Sequence, residues 1–266
     1  MGSVLDEILE HKRQEVAARR SAHPVETLRG LAMYREARRD FYTAVAPAAS
    51  ARPRLIAEMK RSSPSAGLLR PDYDPVAIAR QYAAAGAAAL SVLTDERYFG
   101  GSGEHIALVK AAVALPVLRK DFIVDAYQLH ESRALGADAV LLIAEALEIG
   151  VLIALLEVAR RLELGVLLEV HDEDRLREVS TRLPSLPTGV LLGINNRDLR
   201  RQCTDLSNFE RLAPLAPRGA ALVAESGIHS RADVERMHRA GARALLVGET
   251  LLRAPDPGAK IAELFA

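Results

Sequence analysis

Five short apolar runs of the chain carry side chains that could move protons or hold a polar substrate. Glu58 and Lys60 lie in residues 55–60, Lys120 in 116–121, Glu169 in 165–170, Asn195 in 189–195 and Glu225 in 221–226. Lysines and carboxylates act as general acids and bases when their neighbours push their pKa values apart. Every second residue of an extended strand shares a face. Ile56, Glu58 and Lys60 therefore align, as do Leu118 with Lys120 and Leu167 with Glu169. Leu191 and Gly193 align with Asn195, and Ala221 and Val223 with Glu225. If these faces point inward, two lysines, three carboxylates and one amide converge. For any single position a solvated strand end is the simpler reading, with Glu58–Lys60 as a structural ion pair and Asp121 turned to solvent. Repetition over several runs favours a shared site, because costly charge is tolerated where it performs chemistry.

The elements that must position these groups are regular. Apolar runs recur at 55–60, 88–93, 116–121, 139–144, 165–170, 189–195, 221–226 and 244–248. They lack strict alternation, as strands buried on both faces do. Helical patterns fall between them at 75–85, 104–113, 125–135, 146–162, 172–182 and 230–240. Three similar joints, Ala85-Gly86-Ala87, Leu135-Gly136-Ala137 and Ala240-Gly241-Ala242, each put glycine where a helix ends and a strand follows. Strand–helix alternation predicts a parallel sheet, and eight units in this length predict an α/β fold of the (β/α)8 TIM-barrel kind. No glycine-rich dinucleotide fingerprint follows the first strand. The whole chain, 1–266, is expected to form one barrel domain. Residues 1–46 form a helical N-terminal extension packed on it, with one helix carrying Val4, Leu5, Ile8, Leu9 and Val16 and a second running from about Val25 to Val45. Residues 46–54 are the expected connector.

In a barrel the active site forms where the strands end, and the loops after strands seven and eight often hold a phosphate. Here those loops begin Ser226-Gly227-Ile228 and Gly248-Glu249-Thr250. Glycine lets backbone N–H groups approach an anion, and a helix start adds its dipole. The Glu249 side chain is then expected to turn away while its N–H donates.

Composition narrows the classes further. Basic and acidic residues balance at 35 each, which gives no footprint for nucleic acid. One cysteine, Cys203, excludes an internal disulfide framework and reads as a bystander, with Arg200 and Arg201 able to make its thiol only modestly reactive. The seven histidines lack ligand spacing, so no metal is assigned. No apolar run approaches the ~18 residues of a membrane span, and the N-terminus does not read as a secretory signal. A soluble cytoplasmic protein is the expectation.

The chain resembles the indole-3-glycerol-phosphate synthases. The resemblance is carried by Ile56-Ala57-Glu58-Met59-Lys60-Arg61-Ser62-Ser63-Pro64-Ser65, by Ser91-Val92-Leu93-Thr94-Asp95 with Tyr98-Phe99-Gly100-Gly101-Ser102, and by Leu118-Arg119-Lys120-Asp121-Phe122-Ile123. It continues through Leu168-Glu169-Val170-His171, Gly193-Ile194-Asn195-Asn196-Arg197-Asp198-Leu199, Ala224-Glu225-Ser226-Gly227-Ile228 and Val247-Gly248-Glu249. It implies conversion of 1-(o-carboxyphenylamino)-1-deoxyribulose 5-phosphate to indole-3-glycerol phosphate, with loss of carbon dioxide and water and no cofactor. It implies Lys120 as general acid, Glu169 as a general base or as stabiliser of developing positive charge that assists dehydration, and Glu58 with Lys60 as a second acid/base pair. Asn195 and Glu225 would orient the substrate's polar chain. Ser226, Gly227, Gly248 and Glu249 would hold phosphate with Arg197 nearby, and Ser63 would join the substrate contacts. Phe99, Phe122, Leu141 and Ile143 would wall the anthranilate ring.

One stretch, Arg200-Arg201-Gln202-Cys203-Thr204, departs from the family's more apolar pattern without removing a matched catalytic position. The expected partner is a small phosphorylated molecule, with no nucleic acid and no membrane, and a monomer is the expected state. Two other readings stand beside this one. They are a Schiff-base aldolase using Lys120 and a barrel that only binds a phosphometabolite.

Overall fold

The computed structural model describes residues 4–46, 52–64, 66–197 and 203–265. Eight parallel strands close into a barrel in sequence order. They are β1 (Arg54–Met59), β2 (Ala89–Leu93), β3 (Val117–Lys120), β4 (Ala139–Ile143), β5 (Gly165–Val170), β6 (Val190–Asn195), β7 (Leu222–Glu225) and β8 (Ala242–Val247), with β8 pairing back onto β1. A two-stranded ribbon, Ser62–Ser63 with Gly67–Leu68, follows β1. The predicted strands are thus present, with ends moved by one or two residues.

Alternation along the strands divides the core into two layers. Leu55, Ala57, Leu90, Val92, Val140, Leu142, Leu168 and Leu192 face the outer helices. Ile56, Leu118, Leu141, Leu167, Leu191, Val223 and Leu246 fill the barrel interior. That second set contains the faces on which Glu58, Lys120, Glu169, Asn195 and Glu225 stand, so the inward assignment holds.

The outer helices are delimited by local chemistry. Asp74 caps Pro75–Ala84, whose proline stands at the first position. Asp125 with Gln128, and Ser230 with Asp233, form capping boxes for Ala126–Leu135 and Arg231–Arg239. Gly136 and Gly241 take φ of 91° and 102° at the repeated helix–strand joints.

Two helix expectations need correction. The stretch from Val25 to Val45 is not one helix. After α1 (Val4–Ala22) the chain forms α2 (Val25–Gly30), α3 (Ala32–Arg35) and α4 (Phe41–Val45). Leu31 and Glu36 are extended between them. Tertiary bonds hold the break open, because Arg39 donates to the carbonyls of Val113 and Leu115 at 2.8 Å and of Lys110 at 2.9 Å. The region expected to be one helix over 146–162 begins with a 3-10 turn, Ala144–Ala146. Its α-helix runs Ile149–Arg161, after an extended Leu147. Residues 47–51 of the expected connector lie outside the described residues.

The N-terminal segment reaches both ends of the barrel. Phe41 and Val45 of α4 join the interior cluster at the ends where strands begin, and the Phe41 side chain sits against Gly165, the first residue of β5. At the opposite end, buried Lys12 of α1 pairs with Asp95 at 2.8 Å and Asp121 at 3.0 Å, just beyond β2 and β3. Among the described residues no helix is long and apolar enough to cross a membrane.

Candidate active site

A cavity of about 370 Å³ opens where the strands end. Two residues beyond an interior apolar residue, six of the eight strands contribute their next inward position. Glu58 follows Ile56, Lys120 follows Leu118, Ile143 follows Leu141, Glu169 follows Leu167, Glu225 follows Val223 and Gly248 follows Leu246. All of these line the cavity. Each is held by the strand before it, so the side chains converge without depending on long loops.

Lys120 stands at the centre. Its Nζ lies 2.5 Å from Glu169 Oε2 and 2.9 Å from Glu225 Oε2. Burial opposes its charge, but Glu169, Glu225 and Glu58 outweigh that and raise its pKa above the ordinary lysine value. Glu169 also accepts from Asn195 Nδ2 at 3.1 Å. Burial penalises its charge too, yet Lys120 and His171 hold it well below the usual carboxylate range.

Glu225 goes the other way. Burial first, and then the charge of Glu169, push its carboxyl up to about 8 against the pull of Lys120. Its Oε1 has no hydrogen-bond partner among the described residues. A side chain at position 193 would collide with that oxygen, so glycine there makes room for it. Across the cavity Lys60 Nζ lies 2.5 Å from Glu58 Oε1. Burial works against the charge of Glu58, but Lys60 and Lys120 lower its pKa. The expected ion pair exists, and it faces the cavity.

The apolar wall is formed by Phe99 and Phe122, with ring centroids 6.2 Å apart, beside Leu141 and Ile143. Asp95 positions Phe99 by capping Glu96–Phe99, its carboxylate accepting from the Tyr98 N–H at 2.8 Å. Ser63, on the ribbon after β1, also lines the cavity, and its Oγ accepts from the Ala66 N–H at 3.2 Å.

The opposite side is polar backbone. Ser226 and Gly227 both have positive φ, 65° and 79°, which turns the chain sharply after β7. Gly248 has an ordinary φ of −127°. A Cβ there would fall 2.5 Å from Glu58 Oε1, so this glycine clears space for a carboxylate as well as for any ligand. The Glu249 side chain is drawn aside to Arg253 at 2.8 Å, with Arg197 at 3.9 Å, as expected. The Arg197 N–H donates to Asn195 Oδ1 at 3.0 Å, and the residue bridges to Thr204.

All the anticipated site residues therefore border one cavity, and the sequence reading missed others. Asp121 is not solvent-facing. It is buried between Arg119 at 2.9 Å and Lys12, because Arg119 points outward from β3 into the helix layer. Val4, Leu5 and Ile8 of α1 line the cavity, as do His229 and Thr250. The spacing of Val4, Leu5 and Ile8 marked a helix, but nothing in it said which barrel end the helix would cover. His171, given no role from sequence, lies 3.0 Å from Glu169 Oε1. Of the departing stretch, residues 200–202 lie outside the described residues, Cys203 is exposed and Thr204 borders the cavity. Among the described residues no group of three or more histidine, cysteine or acidic side chains is arranged to hold a metal ion.

Comparison with known proteins adds the chain's relationships. In fold it is similar to 3-hexulose-6-phosphate synthase from Salmonella typhimurium, with a TM-score of 0.63 at 14% identity over 79% of this chain and 96% of that one. It is also similar to a mutant tryptophan synthase alpha-subunit from Pyrococcus furiosus, with a TM-score of 0.57 at 14% identity over 79% and 97%. These two likenesses speak for the barrel alone. Indole-3-glycerol phosphate synthase of Rhodospirillum rubrum is 46% identical over 266 residues, and that of Burkholderia multivorans 48%, each covering the whole of both chains. The family model for indole-3-glycerol phosphate synthase matches residues 5–264. With its sequence aligned from end to end, the chain belongs to the indole-3-glycerol phosphate synthase family.

Proposed function

We propose that this cavity performs the family's carboxy-lyase reaction through Lys120, Glu169 and the Glu58–Lys60 pair. The substrate is 1-(o-carboxyphenylamino)-1-deoxyribulose 5-phosphate, and the product, indole-3-glycerol phosphate, leads to tryptophan. The observation that carries the assignment of roles is the placement of Lys120 between Glu169 and Glu225, 2.5 and 2.9 Å away, with an apolar wall on one side and the two glycine turns on the other. The phosphate rests on the turns at Ser226-Gly227 and Gly248-Glu249, with Arg197 beside it. The anthranilate ring lies against Phe99, Phe122, Leu141 and Ile143, and Ser63, Asn195 and Glu225 orient the polar chain. Binding at the remote phosphate holds the reacting carbons together.

Ring closure joins the aromatic carbon that bears the carboxylate to the substrate carbonyl carbon, while Lys120 gives a proton to the carbonyl oxygen. The carboxylate then leaves as carbon dioxide, its bonding pair neutralising the cationic imine of the ring intermediate. Loss of the new hydroxyl as water needs an acid for the oxygen and a base for a ring proton. The Glu58–Lys60 pair and Glu169 supply these. No cofactor or metal takes part.

A Schiff-base role for Lys120 fits less well, because an amine held as a cation by Glu169 at 2.5 Å and by the charge of Glu58 is a poor nucleophile. One chain supplies every group named, so the site needs no second subunit. The test is to mix the purified protein with the aminodeoxyribulose substrate and follow indole fluorescence, with a parallel borohydride trap. Fluorescence should rise and the trap should leave the protein unmodified. Absence of indole, or a reduced adduct on Lys120, would contradict the proposal.

A further inference from the structure

His171 directly follows β5, and only 7% of its side chain is exposed. Glu145, from the 3-10 turn after β4, grips it twice. One carboxylate oxygen accepts from the His171 backbone N–H at 2.6 Å, and the other lies 3.1 Å from Nδ1. On the far side of the ring, Nε2 stands 3.0 Å from Glu169 Oε1, a charge contact without hydrogen-bond alignment. The surroundings are fixed. Arg175 of the helix Glu173–Arg182 donates to the carbonyls of Ala144 and Leu147, and Asn208 donates to the His171 carbonyl at 2.9 Å.

We propose that His171, braced by Glu145, is a positioning residue that sets the orientation and charge of Glu169. This rests on the reading of Glu169 as a base. Ionised carboxylates only accept hydrogen bonds, and here one faces each ring nitrogen. A neutral imidazole would turn a bare lone pair toward one of them, so both nitrogens carry protons. Burial disfavours the cation, but the hydrogen bond to Glu145 and the charges of Glu169 and Glu145 push its pKa up to about 10.

Glu169 is thereby fixed from two directions, with Oε2 on Lys120 and Oε1 toward Asn195 and His171. Its charged neighbours are Lys120 from β3, Glu225 from β7, Glu58 from β1 across the cavity and His171 at the end of its own strand. The imidazole faces Glu145 and Glu169, while Arg175 is held by carbonyls and by Glu178. A second cation beside Glu169 keeps it ionised to lower pH than Lys120 alone would, and denies its carboxylate another rotamer.

The experiment is the pH profile of kcat/KM for wild type, His171→Asn, Glu145→Gln and Glu169→Gln, with thermal melting of each. An opposite charge at this range lowers a carboxyl pKa by about one to three units. Removing the cation should therefore move the acidic limb of His171→Asn upward by at least about one pH unit. Glu145→Gln weakens the brace without removing the ring and should move the limb the same way by less, which guards against a folding failure in the first variant. Glu169→Gln should lose roughly 10²-fold or more in turnover. Unmoved limbs in both His171→Asn and Glu145→Gln, together with a crippled Glu169→Gln, would overturn the inference while leaving the base assignment intact. Near-normal turnover in Glu169→Gln would overturn that assignment, and the inference with it.

Discussion

Lys60 and Lys120 face Glu58, Glu169 and Glu225 in one cavity, and the excess negative charge falls on Glu225. Its neighbour Glu169 is stabilised by Lys120, Asn195 and His171, whereas among the described residues Glu225 is bonded by Lys120 and its Oε1 has no hydrogen-bond partner. A proton is therefore retained on Glu225 up to about pH 8. The consequence for stability has a definite sign. A carboxyl raised above its unfolded value binds a proton more tightly in the folded chain, so its contribution is complete below about pH 4.5 and is lost as pH rises to about 8. Glu169, which is depressed, acts in the opposite sense and only in acid below that window. Glu225→Gln should therefore lose less stability between pH 5 and pH 8 than wild type, as read from urea midpoints at both values. Equal losses in the two proteins would show that Glu225 is ionised throughout.

Elements outside the barrel bear on the site as strongly as the strands do. Helix α1 lays Val4, Leu5 and Ile8 along the cavity, and one buried ion cluster fastens it there. Lys12 bridges Asp95 and Asp121, and Asp121 in turn pairs with Arg119, the residue before Lys120. Removing one partner from such a cluster leaves uncompensated buried charge, which costs about 3–5 kcal/mol. Lys12→Met should therefore lower stability by that order and free α1 to move. Because α1 forms cavity wall and supplies no acid or base, KM should rise more than kcat falls. Denaturation and steady-state kinetics on one preparation check both parts, and a fall confined to kcat would show that α1 acts on the chemistry directly.

At the scale of the molecule, the barrel was legible because each strand announces itself as a short apolar run, and because Gly136 and Gly241 punctuate the helices. The inward faces were legible through alternation, since Glu58, Lys120, Glu169 and Glu225 stand two positions beyond interior apolar residues. What sequence could not show depended on distance along the chain. Nothing local to residues 25–45 says that Arg39 will bond carbonyls more than seventy positions away and break the helix. Asp121 reads as a solvent-facing strand end until Lys12 arrives from the other end of the chain. His171 has no ligand spacing, and although Glu169 lies two positions before it, Glu145 meets it only through the register of β4 and β5. The central claim, that Lys120 delivers the proton that closes the ring, is tested most directly by Lys120→Met. Glu225 keeps its proton in that variant, so the cavity holds only one added uncompensated charge and the fold should persist. Turnover measured by indole fluorescence should fall by roughly 10²–10⁴-fold, the usual contribution of a general acid. Product affinity, set by the glycine turns, should stay within about tenfold, or roughly 1.4 kcal/mol. Near-normal turnover in Lys120→Met would contradict the account.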